Sequence, residues 1–327
     1  MARSPCQSAY GSITMTHAAL VPASTHDLVI GNGRPSYFRE RCSLFDWPNM
    51  DIKFDYSYPC GITVRARDES FKYSLRDMPM QKIHGLAKEC SPVVLRGFEN
   101  TRDVGTFEPK AKEAGEIAPW TFGIRQVIKD SGSRDRQANN VTSAEAMPMH
   151  YDGFFFFKKE MDEMGVERSV PKVPRFQYFS AVSPSPPNSG FTLFASSQLF
   201  FRNLPAQCSI DEHEKLTWTC RSSRHWDSRL TDPPLIIPHP TNGKPCLWWH
   251  EPWAASKTKF SHSESTIENG SQDHHEVINS LLYDRRVCLY FSIQKGDILV
   301  ADNISLMHTR TAFESDSDRK LWRIHFN

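Results

Sequence analysis

The chain has 327 residues, with 39 Lys and Arg against 38 Asp and Glu and a formal charge of +1. So even a balance sets up no long-range field to recruit nucleic acid or an anionic membrane, and points to a small-molecule partner. The length suits one large domain, because all-β enzymes often run well past ~200 residues as a single unit, and a single domain over residues 1–327 is expected.

Residues 1–50 hold Gly31-Asn32-Gly33 and several prolines and show neither a helical nor a strand period, so they read as a covering arm. The first twenty residues lack the apolar core of a signal peptide, and no later run is long enough to span a bilayer. Eight cysteines, at positions 6, 42, 60, 90, 208, 220, 246 and 288, make no Cys-x-x-Cys pair. Their scatter argues against a structural zinc site and suits reduced thiols in a soluble, cytoplasmic protein.

Met80, Ile83, Leu86 and Ala87 fall at helical spacing between Pro79 and Cys90, and Pro92 to Phe98 reads as a strand. Arg125 to Asp130 is a further short strand, and Ser131 to Arg136 after it has loop composition. Next come His150-Tyr151-Asp152 and the run Phe154 to Phe157, read as a buried strand. Phe176 to Val182 and Phe191 to Ala195 have β composition and flank the prolyl turn Ser183 to Gly190.

Ser196 is placed to cap a helix over Gln198 to Asn203, and Ser271 one through Val277, Ile278, Leu281 and Leu282. Arg286 to Ser292, Asp297 to Ala301 and Lys320 to Phe326 complete the strands, with His308 just beyond the second of these. Many short strands with few helices predict a mainly β (α+β) fold of sandwich or jelly-roll type.

His150 and Asp152 are two residues apart, so on an extended segment both side chains leave the same face. With His308 they supply two imidazoles and one carboxylate, the facial set that holds non-haem Fe(II) and leaves positions open for chemistry. The other histidines are read differently: His262, His274 and His275 as members of a solvated Ser-rich loop, and His213 and His225 as surface residues. The aromatic stretch Leu247 to Trp253 has no flanking basic cluster and is read as core or lid packing.

The segments Ala146 to Phe155, Gly190 to Ser197 and Asp297 through His308 to Arg323 occur in the order of one family. Over roughly Pro92 to Phe326 the chain resembles the TauD/TfdA (taurine dioxygenase, clavaminate synthase-like) group of Fe(II)- and 2-oxoglutarate-dependent oxygenases, with wording similar to fungal members of specialised metabolism. The resemblance implies a double-stranded β-helix (jelly roll) core with flanking helices. It also implies Fe(II) at His150, Asp152 and His308, the cosubstrate 2-oxoglutarate at Thr192 and Arg319, and O2 as oxidant.

Arg323, four residues after Arg319, would by resemblance grip a carboxylate of a small substrate such as an amino acid, and Arg310 competes for either arginine role. Gln126, Asn140 and Thr142 are candidate hydrogen-bonding partners of the substrate, and Phe326 a candidate wall of its pocket. Hydroxylation is the default outcome. Desaturation or ring closure, for example to an aziridine, differs only in the fate of the carbon radical, and Asp152 argues against halogenation because halogenating relatives replace that ligand. The rivals are a non-catalytic cupin-like metal-binding module and, last, a zinc hydrolase. Homo-oligomerisation stays open.

Overall fold

Seven strands form the larger sheet, in the spatial order Ile52–Tyr56, Ile62–Ala66, Val93–Leu95, Ile298–Asp302, Phe176–Ser183, Lys320–Phe326 and Gln126–Lys129. All neighbours are antiparallel except Ile62–Ala66 with Val93–Leu95. The computed structural model describes residues 26–31, 33–40, 42–120, 123–131, 139–154, 157–161, 165, 167–223 and 229–327. It is mainly β with few helices, and no helix among the described residues is long and apolar enough to cross a membrane.

Side chains alternate across a strand, so each strand of this sheet serves two environments. Ile298, Val300, Phe176, Tyr178, Trp322, Ile324 and Phe326 face the helices Met80–Cys90 and Val104–Ala114 and join their core. The first helix contributes Met80, Ile83, Leu86, Ala87 and Cys90, the apolar stripe visible in the sequence. The second is capped by Asp103, whose carboxylate accepts from the Gly105 N–H, and lays Phe107 flat on Tyr178 with ring centroids 4.5 Å apart.

The opposite faces of the same strands, through Val94, Leu299 and Ala301, meet Phe194, Leu289, Phe291 and Leu306 of a second, three-stranded sheet. That sheet is ordered Cys288–Phe291, Thr192–Ser196, Leu306–Arg310. Its outer side is buried by residues of the segment 216–282, among them Trp218, Leu247, Trp249 and Leu281. Burying one such side chain contributes about 1.5–3 kcal/mol. The Leu247 to Trp253 aromatics therefore do serve as packing, with Trp248, Trp249 and Trp253 all buried.

Several expectations change. The described part of the first fifty residues contains a hairpin, His26–Gly31 with Arg34–Glu40, and Trp47 enters the core. His308 lies inside a strand because the chain reverses at residues 303–305, where Asp302 Oδ1 accepts the N–H groups of Ile304 and Ser305. The supposed solvated loop Ser261 to His275 contains the strand Ser263–Ile267, paired with Trp218–Ser222, and the start of the helix Gln272–Leu282.

His213 is buried, its Nδ1 within 2.8 Å of the Ser209 carbonyl, because it closes a one-turn helix and its ring packs edge-on against His274. Phe154 is a buried turn residue, and the strand that follows, Phe157–Met161, is largely exposed, its only partner strand among the described residues being Glu167–Pro171. Six of the described cysteines are free thiols, but Cys90 is disulfide-bonded. His225 and most of the Ser131 to Arg136 loop lie outside the described residues.

Candidate metal centre

His150 and His308 sit directly opposite one another, each main-chain N–H donating to the other's carbonyl at 3.0 Å. Residues in such a pair project their side chains to one face, which brings the two imidazole rings to 4.4 Å between centroids. Tyr151 takes the other face and stacks on Trp248. Asp152 then returns to the side of His150, with Oδ1 3.7 Å from His150 Nε2 and Oδ2 3.8 Å from His308 Nε2. One ligand atom from each of the three residues lies within 4.8 Å of the others.

The backbone around Asp152 is held from two sides. Asn303 accepts the Asp152 N–H at 3.1 Å and donates through Nδ2 to the Asp152 and Pro174 carbonyls. Gly153 follows with φ +91°, and a Cβ there would lie 2.6 Å from the Lys172 carbonyl oxygen, so only glycine fits this close turn. On the near side, Met149 and Glu251 exchange main-chain and carboxylate bonds, the Met149 N–H donating to Glu251 Oε2 at 2.8 Å.

The donor set fits a divalent ion of intermediate softness. His150 Nδ1 is 2.8 Å from the Pro148 carbonyl, a contact that fixes the proton on Nδ1 and leaves Nε2 with its lone pair. His308 is buried and its pKa falls well below the ordinary value, by burial first and by the neighbouring His150 second, so its ring is neutral. Burial works against the Asp152 carboxylate. The Arg323 guanidinium beside it, with His150 and His325, nevertheless holds its pKa well below the carboxylate range. A neutral His308 ring and an ionised Asp152 carboxylate are protonation states that metal ligation needs.

Thr192 is the cross-strand neighbour of Arg310, two pairs along from Phe194 and His308, so it shares the inner face with His308. Arg319 is buried, donates through Nε to Ser185 Oγ at 3.0 Å, and leaves Nη1 without a hydrogen-bond partner. Its guanidinium lies over the Phe313 ring, and burial pulls its pKa down to about 10. A buried, half-satisfied guanidinium is costly unless an anion completes it, and a dicarboxylate with one end at the metal is such an anion.

Arg310, the competitor, puts both terminal nitrogens on the loop 140–145, Nη1 donating to the Val141 carbonyl and Nη2 to those of Asn140, Ser143 and Glu145, and leaves only its Nε without a partner. Asn140 joins this loop to Thr258 and Ser261, and the Thr142 hydroxyl accepts from the Asn139 N–H, so the polar groups of both serve loop structure.

Arg323 donates through Nη1 to Asp152 Oδ2 and through Nη2 to Gln126 Oε1, and the second partner follows from the strand register, which sets Arg323 opposite Gln126. Phe326 is of the opposite parity. It stacks on Phe176 in the helix-facing core, away from the metal ligands.

Two residues that the sequence reading passed over touch the ligands. His325 Nε2 is 2.9 Å from Asp152 Oδ2, and Gln177 Nε2 donates to the same oxygen while lying 3.0 Å from His308 Nε2. The available signal is parity: along Lys320–Phe326 the inward positions change from Leu321 to Arg323 and His325, polar side chains on a face that is otherwise apolar.

The family model described as "Taurine catabolism dioxygenase TauD, TfdA family" matches residues 58–325. An isocyanide synthase, xanB, of Aspergillus fumigatus is 46% identical over 97% of this chain, which spans only 42% of that relative's length. A tyrosine isonitrile desaturase of Pseudomonas aeruginosa is 28% identical over 77% of this chain and 82% of its own. Among solved structures, PvcB, titled an Fe, alpha-ketoglutarate dependent oxygenase from an isonitrile synthetic pathway, superposes with a TM-score of 0.64 at 22% identity. It covers 86% of this chain and 94% of that one.

Proposed function

The chain belongs to the TauD/TfdA family of dioxygenases, and from that premise we propose that it uses Fe(II), 2-oxoglutarate and O2 to desaturate a small, amino-acid-derived carboxylate that carries an isocyano group. The observation that carries the iron reading is the His150–His308 bridge, which aims two imidazoles and Asp152 at one point. When bound, iron supplies the activation of dioxygen. Every other function falls to the chain.

His150, Asp152 and His308 would hold the ion, and Arg319 with Thr192 would bind the far carboxylate of 2-oxoglutarate. Gln126 is a neutral acceptor on Arg323 Nη2, so a substrate carboxylate would displace it by making the stronger, charge-assisted bond. Leu321, Ile128 and Ala181 form an apolar cluster on the same inner face, and such a surface keeps water away from reactive species. The reaction balances: two hydrogens leave the substrate, one oxygen atom of O2 enters succinate as CO2 departs, and the other leaves as water.

The facing sheets support reading the core as a double-stranded β-helix and the chain as one oxygenase domain. The isocyano group and the desaturation come from the names of the relatives, and they favour desaturation over the hydroxylation that the family resemblance alone implies.

The test is a panel of the proteinogenic amino acids and the isocyano acids derived from tyrosine and tryptophan, each incubated with Fe(II) and 2-oxoglutarate. Succinate release stimulated by isocyano acids, with a product lighter by two hydrogens, is expected. A product heavier by one oxygen restores hydroxylation, equal stimulation by free amino acids removes the isocyano group, and no stimulation at all supports the non-catalytic module.

A further inference from the structure

We propose that Gln177, Arg323 and His325 are positioning residues that gather on one oxygen of Asp152, Oδ2, so that Asp152 holds iron through Oδ1 alone; the inference rests on the iron reading of the site. The three donors come from two neighbouring strands. In their register His325 is opposite Gln177, and Arg323, two residues earlier, shares the same face. His325 Nε2 stands 2.9 Å from Oδ2, and Gln177 Nε2 and Arg323 Nη1 donate to that same atom. Oδ1 faces the His150 ring instead, 3.7 Å from Nε2.

A carboxylate has about four lone-pair sites over its two oxygens. Three N–H groups on Oδ2 leave it little electron density for a metal, and all three lie in a dry interior, with Gln177 and His325 each 1% exposed. Bonds of this kind to an ionised acceptor are roughly twice as strong as neutral ones, so an ion that sought both oxygens would have to break them. A second carboxylate oxygen on the iron would also occupy a position that 2-oxoglutarate or dioxygen needs. The collar thus keeps the coordination sphere open.

Two further contacts fit this role. Trp120 stacks on the His325 ring at 4.5 Å and 18°, which fixes the ring plane that aims Nε2 at Asp152. Gln177 Nε2 is also 3.0 Å from His308 Nε2, so one amide spans the carboxylate and the imidazole that must share an ion. With a metal bound, His308 Nε2 would give its lone pair to the ion and Gln177 would keep its bond to Oδ2.

The test is a titration of the metal-free full chain with Co(II), followed by its visible absorption, which reports ligand number and type. His325→Phe keeps a ring for Trp120 but loses the donor, Gln177→Leu removes the amide, and His325→Gln restores an N–H. The first two are expected to weaken Co(II) binding by roughly 10–100-fold, the range for ligands that lose an outer partner, and to change the absorption spectrum. His325→Gln is expected to bind within about threefold of wild type.

The spectral change is a readout that loss of packing does not give. Wild-type affinity and spectrum in both His325→Phe and Gln177→Leu, while His308→Ala loses Co(II), would overturn the collar and leave the iron site standing. If His308→Ala itself binds Co(II) as wild type does, the iron reading has failed and the collar falls with it.

Discussion

Replacing Arg319 by methionine is expected to raise the 2-oxoglutarate requirement by roughly 10²–10³-fold, because removing one partner of a buried charge pair costs about 3–5 kcal/mol and each 1.4 kcal/mol is tenfold. Iron binding should stay near wild type, since Arg319 bonds to Ser185 and lies over Phe313 rather than touching a ligand. The same substitution carries a second, opposite effect. With no anion bound, the Arg319 Nη1 is buried and unpaired, and methionine of similar length removes that penalty. The 2-oxoglutarate-free variant should therefore unfold at a higher temperature than wild type by an amount worth about 1 kcal/mol or more. Thermal melts with and without 2-oxoglutarate read both effects at once: the cosubstrate should stabilise wild type and leave the variant unmoved. An unchanged apparent constant for 2-oxoglutarate would place the anchor elsewhere, with Arg310 the next basic side chain on Phe313.

His308→Ala carries the other large effect. It should lower Fe(II) affinity by more than roughly 100-fold, the upper range for losing a partner one shell further out, and abolish substrate-stimulated succinate release. The fold should survive. The bridge to His150 uses main-chain N–H and carbonyl groups that alanine keeps, and the deleted ring carries a buried Nδ1 with no partner, so part of the cost of the cavity is returned. Equilibrium dialysis with Fe(II) under argon, beside a circular dichroism melt, separates loss of ligand from loss of structure. Wild-type affinity and turnover in this variant would remove His308 from the site.

The metal triplet was legible because its spacing states its geometry. His150 and Asp152 differ by two residues, and alternation alone puts them on one face with Tyr151 on the other. The larger sheet was mostly legible: the strands around Val94, Ile128, Phe179, Leu299 and Leu321 were read from the sequence, whereas Ile52–Tyr56 and Ile62–Ala66 went unread. The helix Met80–Cys90 was legible by its stripe, but Val104–Ala114 was not, since Pro109 and its charged residues blur the period.

What the sequence could not give was anything that depends on register. Gln177 stands opposite His325, and Gln126 opposite Arg323, only once three strands are aligned. A one-residue slip would turn Arg323 and His325 toward the helices and bring Phe326 to the iron. Arg319 and Arg323 are four residues apart, a spacing that alternation alone would put on one face, yet the register shifts between Lys320 and Leu321. The first reaches Ser185 and Phe313 and the second Asp152. Asn140 and Thr142 looked like free polar groups, and only the fold reveals that Arg310 organises their loop.

A crystal structure of the full chain grown anaerobically with Fe(II) and 2-oxoglutarate, with iron located by its anomalous scattering, tests the central claim most directly. The account predicts one iron bound by His150 Nε2, Asp152 Oδ1 and His308 Nε2, and a 2-oxoglutarate whose far carboxylate lies on Arg319 and Thr192. Iron bound away from these three residues, or a cosubstrate anchored on Arg323 instead, would contradict it.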